Sequence, residues 1–437
     1  MSESLHALSL IDARAALRSG ATTSATLTRA LLERIAATDA GVQAWAHLDA
    51  DAALKAARIS DVERAAGTAN GPLTGIGIGV KDIVATSDQP TQLGSPIYAA
   101  AQPMYDAECV LRLRQAGGFV LGKTVTTEFA FLHPGKTRNP WDAAHTPGGS
   151  SSGSAAAVAL GQVAAAIGTQ TNGSVIRPAA YCGVVGFKPT VDALPFAGVN
   201  RFSPTLDTLG VFARKVADCA LLASCVGDPG RIAAQTAAVG RAPRLAMLPG
   251  FPWVATGAEQ ERAVGAALAS LSDAGSIVTA VTLPESWADA QRVHRTIMLY
   301  EGVQQIGELQ LRDRGRLSSE LNAALDEGRQ ISAAAYAAAQ ARRDVLIVAA
   351  TEWLAPFDAI ASPPAPAAAP ADLSQTGDPA CCTLWSLLGF PAVSIPTAAA
   401  ANGLPLGLQL AAIAGADDRL LAVAQWCEGR LPFAGLV

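Results

Sequence analysis

Short apolar runs recur through the middle of this chain, and each lies beside a segment with helical spacing. PLTGIGIGVKDI, from Pro72, alternates like a strand. ECVLRLRQAGG has apolar residues three and four apart and leads into FVLGKTV; SAAAVALGQVAAAIG and CGVVGFKPT are further apolar runs, the first of helical or strand-like character. A two-residue period buries alternate side chains of a strand, whereas a 3.6-residue period buries one face of a helix. Elements that alternate in this way bury their apolar faces by stacking in layers, so the pattern implies an α/β architecture.

Residues 8–66 read as three helices, LIDARAALRSG, TSATLTRALLERIAATDAG and LDADAALKAARISDVERAA, with Gly20 and Gly41 interrupting or stopping the pattern. The expectation is an N-terminal helical layer over 1–66 packed on a main domain over 67–437. Residues 208–226 read as a helix with its approach, RLAMLPG as a strand and AEQERAVGAALASLSDAG as an amphipathic helix. The more polar, helical stretch 286–345 is expected to shape a substrate entrance. FDAIASPPAPAAAP starts as a strand and ends in a proline-rich turn, and PAVSIPTAAAANGLPLGLQL reads as two β segments joined by a turn. With no internal repeat, 437 residues are read as one large domain rather than two.

Composition narrows the chemistry. Half of the residues are hydrophobic and 16% are charged, with a formal charge of −5 and no basic tract. Nucleic-acid binding is therefore not expected, and a small, roughly neutral partner is easier to accommodate. The seven cysteines and five histidines are scattered without CxxC or HExxH spacing, so no metal site and reduced thiols are expected. The N-terminus lacks the form of a signal peptide and nothing later has membrane-span character, which points to a soluble cytoplasmic protein without membrane contact.

Two generic motifs match by letters alone. GGFVLGKT (117–124) satisfies the phosphate-loop formula, but its intervening FVL is β-prone and reads as the strand itself, with the lysine and threonine in structural roles. GSSSG (149–153) satisfies the nucleophile-elbow formula, yet a turn-former precedes it and only His294 lies far enough downstream, in a charge-flanked amphipathic segment. Without a histidine base, a serine nucleophile needs another activator. Lys81 ends the run GIGIGV; burial there would depress its pKa and make it a general base, unless it snorkels or pairs with Asp82. Ser174 closes a small-residue turn after Asn172 and Gly173, residues that tolerate left-handed backbone. Amides in such a turn can converge on an oxyanion, and an ordinary turn serine is the competing reading.

A longer set of motifs carries a resemblance that bears on this choice. PLTGIGIGVKD, DAECVLRLRQAGGFVLGKTVTTEFAF, TRNPWDAAHTPGGSSSGSAAAVA, GTQTNGSVIRPAAYCGVVGFKPT, SPTLDTLGVFARKVADCALL and LLGFPAVSIPTAAAANGLPLGLQL together resemble the amidase signature family over roughly residues 25–428. The resemblance implies a single large α/β domain with a mixed, twisted central β-sheet covered by helices on both faces. It implies a cofactor-free serine amidohydrolase with a Ser–cis-Ser–Lys triad. By position the base falls on Lys81, the bridging serine on Ser151 and the nucleophile on Ser174, and the oxyanion hole on the backbone amides of Thr171, Asn172, Gly173 and Ser174. Ser150 and Ser152 are then backbone-supporting or helix-start residues.

The expected reaction hydrolyses a small or medium, largely uncharged amide through a seryl acyl-enzyme. Phe131, Phe196 and Phe202 are candidate entrance residues, and a homodimer is the family-level expectation. Gln170 stands where relatives often carry Asp, Asn172 where they carry Gly, and Arg177 lies one position late, which puts salt bridging behind the nucleophile loop in doubt. The alternatives are the glutaminase subunit of a tRNA-dependent amidotransferase, and an inactive scaffold.

Overall fold

The protein is described by a computed structural model covering residues 4–437 apart from 69, 70 and 238. Three N-terminal helices come first. α1 (Leu10–Ser19) starts on the Ser9 hydroxyl, which accepts the Asp12 amide, and stops at Gly20 in the left-handed region. α2 (Ser24–Val42) is capped by Thr23 and α3 (Ala50–Ala65) by Asp49. Gly41 does not stop α2. The helix runs past it, Gln43 takes the left-handed conformation with φ 57°, and the Asp39 carboxylate accepts the Ala44 amide, which turns the chain into the edge strand β1 (Trp45–His47).

From there strands and helices alternate: β2 (Gly77–Lys81), α4 (Glu108–Gln115), β3 (Phe119–Thr124), α5 (Ser152–Ala159), β4 (Ala165–Gln170), α6 (Ile176–Cys182) and β5 (Val185–Lys188). The run SAAAVALGQVAAAIG is thus both a helix and a strand, divided at Gly161. The stretch 208–226 also divides, into β6 (Thr208–Ala213) and α7 (Val216–Val226). A wholly buried strand has no polar face, so its pattern merges with the helix that follows. Next come β7 (Arg244–Met247), α8 (Ala258–Asp273), β8 (Ile277–Ala280), the long helices α9 (Ala290–Asp313), α10 (Ser319–Arg329) and α11 (Ala333–Leu354), and β9 (Ala359–Ser362). The chain ends with α12 (Ala380–Leu388), β10 (Ala392–Ala399), β11 (Pro405–Ala411) and α13 (Asp417–Glu428).

All strands join one mixed 11-stranded sheet, in the order β1-β3-β2-β4-β6-β5-β10-β11-β9-β7-β8. β3, β2 and β4 run parallel, while β4, β6, β5, β10, β11 and β9 pair antiparallel in succession. Alternate side chains go to opposite faces. Val120, Ile167 and Val211 pack with α4 and α7, whereas Phe119, Leu121, Ala166 and Phe212 pack with α2, α3 and α5. Burying one such Leu or Phe contributes roughly 1.5–3 kcal/mol, so both faces need a helical cover.

The small residues of α5 have a steric reason. A Cβ on Gly153 would lie 2.2 Å from the Ala44 carbonyl oxygen and 2.3 Å from the Val125 amide nitrogen. Only a bare backbone lets α5 start flush against the ends of β2, β3 and β4, where the site lies.

Candidate active site

β2 and β4 are parallel neighbours, so their C-terminal ends open on the same side. Lys81 ends β2 and is fully buried; its Nζ is hydrogen-bonded to Ser150 Oγ at 2.7 Å and to Thr169 Oγ1 at 2.8 Å. Among the described residues no carboxylate forms an ion pair with it. Burial pushes its pKa well below the usual lysine value, opposed only by the charge of Asp207. Asp82, the alternative partner, binds Lys123 instead at 3.5 Å.

The small-residue loop before α5 brings a correction. The cis peptide lies between Gly149 and Ser150, and it is the Ser150 hydroxyl that meets Lys81. Ser151, the expected bridging residue, faces the backbone: its Oγ donates to the Thr169 carbonyl at 3.1 Å and accepts the Thr169 amide at 3.2 Å. It staples the loop to β4. Three serines in a row conceal this, because side-chain direction within an irregular loop has no period to read.

Ser174 sits between β4 and α6, 8% exposed, and its hydroxyl makes no hydrogen bond among the described residues. It lines a small cavity with Phe131, Phe202, Met298 and Arg177. Phe131 and Phe202 stack there, with ring centroids 4.8 Å apart. Phe196 is not part of that wall; it lies under the guanidinium of Arg201.

The loop 171–174 is fixed from behind by its carbonyls. His294 Nε2 donates to the Thr171 carbonyl at 3.0 Å, and Ser386 Oγ donates to the Asn172 carbonyl. Thr171 Oγ1 donates to Asp207 at 2.6 Å, and Thr383 Oγ1 to the Asn172 side chain at 2.8 Å. Gln170 accepts the Val175 and Ile176 amides through Oε1 and donates to Ser386 through Nε2. A neutral amide thus braces the loop here, with two acceptor bonds and one donor bond. Among the described residues the amides of Asn172, Gly173 and Ser174 meet no protein acceptor, which leaves them free for an oxyanion.

The turn is not left-handed at Asn172 or Gly173, contrary to the expectation from sequence; neither is among the positive-φ residues. Space is tight at Gly173, where a Cβ would stand 3.0 Å from Pro379 Cβ and 3.3 Å from Cys382 Sγ.

Several of these supports are not visible in the sequence. His294 stands out there only as a partner for the rejected elbow motif. It is buried on α9, and desolvation pushes its pKa down to about 4, so it donates as a neutral imidazole. Asp207 is buried behind Thr171, and burial raises its pKa to about 6. The GGFVLGKT segment is the strand β3 with its approach, and Lys123 donates to the carbonyls of Val84 and Pro90 and to the Thr91 hydroxyl. No group of three or more metal-ligating side chains occurs among the described residues, all seven cysteines are unpaired, and no described helix is long and apolar enough to cross a membrane.

The sequence profile of the amidase family matches residues 26–421. The chain belongs to the amidase family. It is similar to a glutamyl-tRNA(Gln) amidotransferase subunit of Roseiflexus sp. (strain RS-1), 34% identical with 96% of this chain and 95% of that protein covered. The corresponding subunit of Salinispora arenicola is 35% identical, with 98% of each covered. Among solved structures, an amidase superposes with a TM-score of 0.89 at 30% identity, covering 97% of this chain and 100% of that one. Native peptide amidase from Stenotrophomonas maltophilia gives 0.84 at 30% identity, covering 97% of each. The protein is therefore an amide-hydrolysing enzyme of the amidase signature type, built as one large α/β domain around a mixed sheet.

Proposed function

We propose that Ser174 is the nucleophile of a serine amidohydrolase and that Lys81 is its general base and acid, acting through Ser150. The observation that carries this reading is a buried amine held by two hydroxyls and no carboxylate. Such an amine gives up its proton more readily than an ordinary lysine and can act as a base. As Ser174 attacks the amide carbonyl, its proton passes to the Ser150 hydroxyl while the Ser150 proton moves to Lys81. The oxyanion takes hydrogen bonds from the amides of the 171–174 loop. An amide anion leaves poorly, so Lys81 returns its proton through Ser150 to the nitrogen, and ammonia or an amine departs. Water activated by the same relay then hydrolyses the acyl-enzyme. No metal or organic cofactor is needed, and seven unpaired cysteines support a reducing, cytoplasmic setting.

Labelling with a fluorophosphonate, followed by peptide mass spectrometry, tests the assignment. The adduct is expected on Ser174 and absent from Ser174→Ala, whose amide turnover falls about 10⁴-fold or more. An adduct on another serine would overturn the assignment.

A second reading, a glutaminase subunit, is favoured by the amidotransferase relatives. Against it, the nucleophile loop reads QTNGSVIRP rather than that subunit's usual DTGGSIRQP. Ammonia release from glutamine together with copurification of a second subunit would favour it; hydrolysis of simple amides by the isolated chain favours the first.

A further inference from the structure

Arg177 is a second buried basic residue at this site, and the proposed catalytic cycle does not use it. The residue is 2% exposed. Its Nη2 donates to the Gly149 carbonyl at 2.8 Å and to Thr376 Oγ1 at 3.0 Å, both neutral acceptors. Nε and Nη1 have no hydrogen-bond partner. Three of the five guanidinium N–H donors are therefore unspent.

Among the described residues no carboxylate forms an ion pair with Arg177; the charge of Asp378 reaches it only at longer range. Lys81 can escape the cost of burial by giving up its proton. A guanidinium cannot do so, and an uncompensated buried charge is strongly unfavourable. A positive charge kept in that condition calls for an anion supplied from outside.

Arg177 lines the same small cavity as Ser174. The other side chains there, Phe131, Leu132, Phe202, Met298 and Pro379 among them, bring no charge. The cavity thus offers an apolar wall, one nucleophile and one unpaired cation. We propose that Arg177 receives a carboxylate of the substrate, so that the amide hydrolysed is one whose acyl part carries a carboxylate a few bonds from the scissile carbonyl. This rests on the amidase reading and narrows the expected substrate to one that is apolar apart from a single acidic end. Arg–carboxylate pairing in a desolvated site is charge-assisted and geometrically selective, so it would also set which carbonyl is presented to Ser174.

The test compares half-amides of short dicarboxylic acids with neutral amides of matched shape: malonamate with propionamide, succinamate with butyramide, glutaramate with valeramide. For at least one pair, wild-type kcat/KM is expected to favour the acidic member by 100-fold or more. The corresponding dicarboxylate should inhibit competitively where the monocarboxylate of equal length does not. Arg177→Met should lower the acidic-to-neutral ratio at least 100-fold, and Arg177→Lys should restore part of it.

Neutral amides preferred in every pair would overturn the proposal while leaving the amidase reading intact. Arg177→Met slowing both members equally would assign Arg177 to holding the Gly149 loop and would also overturn it. The wild-type ratios and inhibition need no variant, so they decide the matter even where Arg177→Met fails to fold. Failure of every amide together with failure of Ser174 to label would instead remove the amidase reading itself.

Discussion

Lys81 and Lys123 stand on adjacent parallel strands, with Val80 opposite Lys123 and Lys81 opposite Thr124. Both are fully buried. What separates them is the partners. Lys123 has the carboxylate of Asp82, two carbonyls and two hydroxyls around its ammonium, and its pKa falls only to about 8. Lys81 has two hydroxyls, and burial takes it well below the ordinary value. Burial alone does not make a base; burial without a counter-charge does. Lys123 ties β3 to the 84–91 loop, and Lys81 is the proposed proton carrier.

The largest expected effect breaks the pair apart. Lys81→Met should reduce kcat/KM for amides about 10⁴-fold or more while the fold survives, since a methionine has the length of the lysine stem and no charge to desolvate. Removing Lys123 should do the opposite. Lys123→Met leaves Asp82 buried without its partner and should cost about 3–5 kcal/mol in denaturant unfolding. The sign with pH follows from the depressed folded pKa of Lys123. Between about pH 8 and its unfolded value near 10.5 the unfolded chain binds the extra proton, so the Lys123 contribution to stability rises with pH across that window. A Lys81 variant that unfolds, or a Lys123 variant that keeps full stability, would erase the distinction.

The same comparison, carried to the neighbouring serines, gives the next effect. Ser150 touches the proton carrier and Ser151 touches only backbone. Ser150→Ala should lower amide kcat by about 10²–10³-fold, in the range found for positioned proton-transfer groups. Ser151→Ala should cost about 1–3 kcal/mol of stability from the unpaired Thr169 amide and stay within tenfold in kcat. Reversed outcomes in steady-state kinetics and thermal melts would return the relay to Ser151.

How far the chain could be read from its letters follows from the same physics. The helices over 8–66 and the glycine-bounded strands β2 and β3 were legible because each has one dominant period. The N-terminal start of α2 and its run were visible, but its end was not, since Asp39 and Gln43 rather than Gly41 set it. β6 merged with α7, and the edge strands β1 and β8, of 3 and 4 residues, were too short for any period to register. At the site, Lys81 and Ser174 were assigned by position from the family resemblance that the motifs carry. The choice between Ser150 and Ser151 depends on where each hydroxyl points, and the roles of His294, Ser386 and Asp207 depend on contacts 123, 214 and 36 residues away in the chain.

The smallest effect, and the most direct on cause, comes from giving Lys81 the counter-charge it lacks. Thr169 Oγ1 lies 2.8 Å from Nζ, and Thr169→Asp would set a carboxylate at about that point, recreating around Lys81 what Asp82 provides for Lys123. An adjacent carboxylate stabilises the ammonium and should raise the Lys81 pKa by about 1–2 units. In the proposed mechanism the neutral amine is the active form, so activity should rise with pH through that pKa, and the acid limb of the kcat/KM profile should move to higher pH by the same amount. Below the new limb the rate should fall about 10–100-fold, and well above it the variant should approach wild type. A variant equally slow at every pH would mean that the carboxylate had displaced the amine rather than charged it. An unmoved limb would mean that Lys81 is not the group whose deprotonation the limb reports.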